Sequence, residues 1–195
     1  MKTYKLAGQE RTDLGKKVTK ELRAQGAVPA VVYGGEKDGK AVHFTVQSSE
    51  IRNLIYSPDV FMVELTVGKE KIKSVLHEIQ FHPVTDAVLH LDFLHIFDDR
   101  PMVVELPIEF KGLAAGVRAG GRLTTDMRKL KVKGLLKDMP ERLTVDVTAL
   151  ELGHTIQVGE LNFEGLELLN AENAVVCRVR LTRAARGAAA KEGAK

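Results

Sequence analysis

The feature that most constrains this chain is a strict alternation of apolar and polar residues in short stretches. Residues 41–46 place Val42, Phe44 and Val46 on one side. Ala87–Phe97 places Leu89, Leu91, Phe93 and His95 on one side and His90, Asp92 and Leu94 on the other. Ala174–Leu181 does the same with Val175, Cys177, Val179 and Leu181. A period of two belongs to half-buried strands and excludes helix in those stretches. Trp is absent and aromatics are 5% of the chain, so the core must be mostly Val, Leu, Ile and Ala. Many of those runs are β-branched, which favours strands again.

Further strands are expected at residues 3–10, Ala30–Tyr33, Val60–Val67 and Lys71–His82, with hairpins at Gly34-Gly35 and Gly68. Gly15–Gly26 reads as a helix that Gly26 stops. Ser48-Ser49-Glu50 offers an N-cap for a second helix ending near Tyr56. Six strands and two helices before residue 97 suit a small closed barrel with helices at its rim. Asp98-Asp99-Arg100-Pro101 breaks the pattern. Beyond it come short apolar pieces separated by Gly, Pro and Asp, including a glycine-rich loop over 112–121. The expected fold is mainly β with minor α: a six-stranded antiparallel β-barrel with two or more helices over 1–97, an all-β domain over 98–183, and a disordered basic tail over 184–195.

Function classes narrow by exclusion. One cysteine, Cys177, cannot form an internal disulfide, and its strand position suits a small buried core residue. No apolar run approaches the roughly 20 residues of a membrane span. A cytoplasmic location is the expectation. Gly8…Gly15-Lys16-Lys17 departs from the spacing of a phosphate-binding loop and lacks its Ser/Thr.

Charge is informative by placement. Residues 1–95 carry thirteen Lys/Arg against twelve Asp/Glu, close to balance. Residues 1–25 alone carry seven against three. On the expected helix, with Lys16 at zero, Lys20 falls at about 40° and Arg23 at about −20°, while Val18 and Leu22 fall at about 200° and 240°. One stripe is cationic and the opposite stripe apolar. Such a row suits the phosphates of a nucleic-acid backbone, or is an ordinary solvated helix face. Glu21, at about 140°, points away from it.

Gln80, His82, His90 and Asp92 converge if the strands around Pro83 pair as a hairpin. That set could hold a metal, act as an acid/base pair, or read RNA. No metal-ligand spacing supports the first, and no nucleophile or cofactor motif accompanies the second. For the third, Gln and Asp can pair with base edges or a 2′-OH, and His can stack. Tyr33 could stack on a base or cap the core. Arg118, Arg122, Arg128, Lys129, Lys131 and Lys133 form a second basic cluster, suited either to RNA or to guarding an edge strand.

Arg11-Thr-Asp-Leu-Gly15-Lys16-Lys-Val-Thr-Lys20-Glu-Leu-Arg23-Ala-Gln-Gly26-Ala-Val-Pro29-Ala-Val-Val-Tyr33-Gly34-Gly35, with Gln80-Phe-His82-Pro83 and Leu89-His90-Leu-Asp92-Phe93, resembles the bacterial large-subunit ribosomal protein twenty-five family. The remainder is similar to the added domain of that family's long form, the general stress protein CTC type, through Gly112-Leu-Ala-Ala-Gly116-Val-Arg-Ala-Gly120-Gly121, Met139-Pro140-Glu141 and Val145-Asp146-Val147. The resemblance implies a non-enzymatic, ribosome-associated protein that binds 5S ribosomal RNA and neighbouring large-subunit components. It implies no cofactor, metal or small-molecule substrate. It implies RNA contacts at Arg11, Lys16, Lys20, Arg23, Tyr33, Gln80, His82, His90 and Asp92. Glu21 stands where many members carry a second consecutive Arg, and Lys20 replaces a usual Arg, which loses bidentate geometry. The alternative is a free stress-related regulatory protein whose second domain binds another protein.

Overall fold

The computed structural model describes residues 1–34, 41–68 and 70–182. The 35–40 part of the first hairpin loop and the 184–195 tail lie outside the described residues. The chain divides into two compact units: Met1–Met102 with Leu135–Glu141, and Val103–Gly134 with the residues from Arg142 onward.

The first unit contains β1 (Lys2–Glu10), α1 (Lys16–Ala24), β2 (Ala27–Tyr33), β3 (Val42–Gln47), α2 (Ser48–Ile55), β4 (Phe61–Val67), β5 (Glu70–Phe81) and β6 (Val88–His95). The six strands close into a barrel in the order β1-β3-β2-β6-β5-β4. The alternation places the core as expected: Phe44, Val46, Leu91 and Phe93 are all buried. The Phe44 and Phe93 rings lie 5.8 Å apart inside it. Ile51 and Leu54 of α2 join the same core.

The barrel is mixed, which corrects the antiparallel expectation. β1 runs parallel to β4 (Leu6 opposite Leu65), and β2 runs parallel to β6 (Val32 opposite Phe93). Parallel neighbours need long crossovers, and here a hairpin and helices intervene between the paired strands. β2 also begins earlier than expected, at Ala27, with Pro29 inside it. Its ladder with β6 starts only at Ala30. The first residues of β2 therefore have a sheet neighbour on one side alone, where a residue without N–H is tolerated.

Gly26, at φ +79°, ends α1 as the pattern required. The expected serine cap on α2 does not form. Gln47 holds the cap position without a side-chain hydrogen bond. The Ser48 N–H instead donates to the Gly26 carbonyl at 3.0 Å, so backbone satisfies it directly.

The second unit contains β7 (Met102–Lys111), α3 (Ala115–Arg118), β8 (Arg122–Thr125), β9 (Lys129–Gly134), β10 (Leu143–Asp146), β11 (Thr155–Gln157), β12 (Glu167–Leu168) and β13 (Val175–Arg180). They form two sheets, β10-β7-β9-β12 and β11-β13-β8. The unit is β-rich but not all-β: α3 sits inside the expected glycine loop, and Val158–Glu160 forms a 3₁₀ turn. The glycines permit this packing. A Cβ on Gly116 would stand 2.6 Å from the backbone of Glu151 and Leu152, so only glycine fits there.

Candidate nucleic-acid interface

α1 presents the two faces that its sequence required. Lys16, Lys20 and Arg23 are exposed, and Val18 and Leu22 are half-buried. Glu21 is exposed as well. Arg23 is more than a free cation. Its Nε and Nη2 donate to the Leu89 carbonyl at 3.0 and 2.7 Å, which fastens the helix to β6 one residue before His90.

Arg11 is similarly engaged. Its backbone N–H donates to the His43 carbonyl, continuing the β1–β3 pairing. Its Nε donates to the Asp13 carbonyl and its Nη2 to Thr19 Oγ1, both at 2.6 Å. The guanidinium thus clamps the loop that leads into α1. Thr19 in turn donates to the Gly15 carbonyl at 2.9 Å.

β5 and β6 pair antiparallel, with Gln80 opposite His90 and Glu78 opposite Asp92. His90 and Asp92 share one face of β6, and His90 Nδ1 lies 2.5 Å from Asp92 Oδ1. Both side chains are half-buried, 28% and 22% exposed, so their pairing is only partly screened by water. Neither Nδ1 nor Oδ1 completes a hydrogen bond among the described residues, although both atoms are buried.

Tyr33 joins this face through the parallel β2–β6 ladder, in which Val31 lies opposite Asp92 and Tyr33 opposite Leu94. Burial holds the Tyr33 hydroxyl above its ordinary value, with the Asp92 and Glu78 carboxylates adding to the effect. The phenol therefore stays a neutral donor. The edge of one ring meets the other between Tyr33 and His77, at 6.2 Å. His77 leaves the β5–β6 ladder where the register shifts between Leu76 and Glu78.

His82 does not join the patch. It lies just beyond β5, in the turn to β6. Its N–H donates to the Ala87 carbonyl at 2.8 Å, and its Nδ1 accepts from the N–H groups of Val84 and Thr85, both at 3.3 Å. That fixes the proton of the neutral ring on Nε2. The ring organises the turn, in which Asp86 adopts φ +52°.

Two features escaped the sequence reading. Glu78 lies directly across from Asp92, although the alternation that grouped Gln80 with His82 also includes it. The Leu89 carbonyl, as acceptor for Arg23, carries no sequence signal. Among the described residues, no three His, Cys, Asp or Glu side chains are grouped as a metal ion would require. No helix among them is long and apolar enough to cross a membrane.

The second basic cluster is split by the fold. Lys131 pairs with Glu105 at 3.7 Å and Lys133 with Glu167 at 2.8 Å. β9 lies between β7 and β12, so it is not an edge strand needing protection. Arg122 sits on β8, in the other sheet.

Comparison with known proteins covers both units. Residues 6–93 match the family model described as Ribosomal L25p family, and residues 101–183 match the Ribosomal protein TL5, C-terminal domain. A relative from Porphyromonas gingivalis is 56% identical over 193 residues, spanning 98% of this chain and 100% of the relative. One from Phocaeicola vulgatus is 54% identical over 197 residues, spanning 99% and 100%. One from Parabacteroides distasonis is 50% identical over 196 residues, spanning 98% and 100%. All three are named large ribosomal subunit protein bL25. With likeness of this degree along nearly the whole sequence, and with both of its parts matched in order, the chain belongs to the bL25 family.

Proposed function

We propose that this protein is a structural, non-enzymatic constituent of the large ribosomal subunit in the cytoplasm, and that its N-terminal barrel binds 5S ribosomal RNA. One observation carries the RNA reading: Arg23 bridges the cationic face of α1 to β6 beside the His90–Asp92 pair. A row of cations and a set of base-reading groups thereby share one surface. The major groove of A-form RNA is too deep and narrow for side chains, so contact would fall on the minor groove, 2′-OH groups and phosphates. Lys16 and Lys20 supply phosphate contacts. Gln80, His90, Asp92 and the neutral Tyr33 hydroxyl supply donors and acceptors for bases and riboses. Asp92 repels phosphate, so its presence favours one RNA feature over generic polyanion binding. Arg11 and His82 act within this reading by holding the α1 entry loop and the β5–β6 turn.

The test is titration of 5S ribosomal RNA with wild-type, Lys20→Ala and Asp92→Ala proteins at several salt concentrations. Lys20→Ala should lower the magnitude of the log K versus log salt slope by about 0.7–1, the loss of one phosphate contact. Asp92→Ala should weaken binding and leave the slope nearly unchanged. Equal affinity and slope in all three proteins would overturn the interface. Absence of the protein from sedimented large subunits of growing cells would overturn the ribosomal role.

A further inference from the structure

We propose that the second unit carries its own RNA-backbone contact, on the outward face of the β11-β13-β8 sheet and centred on Arg122 and Arg180. In the antiparallel β13–β8 ladder, Arg180 lies directly opposite Arg122 and Arg178 opposite Thr124. Thr155 of β11 lies opposite Arg178. These residues share the face that points away from Cys177 and Val179, which belong to the buried core.

Arg178 is neutralised, with its Nη2 2.8 Å from Asp126 Oδ2. Arg122 and Arg180 are not. Both are exposed, and among the described residues neither has an acidic partner. Directly opposed like charges are destabilising, with Cβ atoms about 4.5–5.5 Å apart. A bound anion removes that repulsion, and two adjacent guanidinium groups suit phosphate oxygens through paired N–H donors.

The chemistry of the face selects the occupant. Arg122, Thr124, Thr155, Arg178 and Arg180 are its polar groups, and Val176, two positions before Arg178 on β13, is fully buried and offers a partner no apolar surface. A protein partner would want an apolar centre with a polar rim. A phosphodiester backbone wants guanidinium and hydroxyl donors, which are the groups present. This contact goes beyond the barrel interface and involves none of its residues.

The test uses the full chain, an RNA duplex of mixed sequence and a range of salt concentrations. The proteins are wild type, R122A/R180A and R122K/R180K, each also prepared with Lys20→Ala. R122A/R180A should reduce the slope magnitude by about 1.4–1.8, two phosphate contacts, whether or not Lys20 is present. R122K/R180K should keep the slope and lose part of the affinity. Thermal melting should show R122A/R180A no less stable than wild type, because the change removes repulsion. An unchanged slope in R122A/R180A would overturn the proposal while leaving the barrel interface untouched. Unchanged RNA binding with lost affinity for polyglutamate would also overturn it, by assigning the face to an acidic protein.

Discussion

His90 Nδ1 and Asp92 Oδ1 lie 2.5 Å apart, two positions along one strand, on the outward face of the barrel. The strand period makes them neighbours. The pairing of β6 with β5 and β2 then surrounds them with Gln80, Glu78 and Tyr33. The two atoms are buried at close range, yet neither completes a hydrogen bond among the described residues.

Asp92→Ala should lower affinity for 5S ribosomal RNA by about 10–100-fold, the loss expected for hydrogen bonds to a charged group. The salt slope should stay near the wild-type value. Asp92→Asn should lose less, because it keeps one side-chain oxygen as an acceptor for the RNA. Fluorescence titration at fixed and varied salt checks both.

Arg23→Lys separates charge from geometry. Lysine keeps the cation but cannot reproduce the two-donor fork on the Leu89 carbonyl. The expected result is weaker RNA binding with a retained salt slope. Amide hydrogen exchange in α1 should rise, since the helix loses its tie to β6.

Gly8→Ala should destabilise the barrel by about 1–3 kcal/mol through overpacking. A Cβ at that position would stand 2.6 Å from Phe44 Cδ2, inside a closed core. Phe44→Leu in the Gly8→Ala background should recover part of the loss. Urea unfolding midpoints of the single and double variants give the coupling.

The Cys177 thiol should be inert toward an aromatic disulfide reagent at neutral pH and react fully once the chain is unfolded. Burial, aided by Asp126 and Glu160, pushes the thiol above its ordinary value of 9.0. The folded state therefore holds a proton that the unfolded state releases first. This stabilising contribution is complete below the ordinary thiol value and is lost as pH rises from there through the raised value of the folded state. Unfolding midpoints of wild type and Cys177→Ala between neutral and alkaline pH measure it: the wild type should lose more stability across that range.

Sequence by itself determined which residues face inward and which outward. The alternation around Phe44 and Val46, and around Leu91 and Phe93, was enough to place them in the core. The helical projection was enough to set Lys16, Lys20 and Arg23 opposite Val18 and Leu22. These are consequences of local periodicity, which acts within one element. The grouping of His90 with Asp92 was legible for the same reason. The fold alone decided which elements meet, in what direction and in what register. It made two barrel seams parallel, set Gln80 opposite His90, turned His82 into a turn-former, and directed Arg23 to the Leu89 carbonyl. It also gave Lys131 and Lys133 of the second basic cluster acidic partners and set Arg122 of that cluster opposite Arg180. Partners so distant along the chain share no local pattern; their contact follows from closing a core, and closing that core fixes register as well as burial.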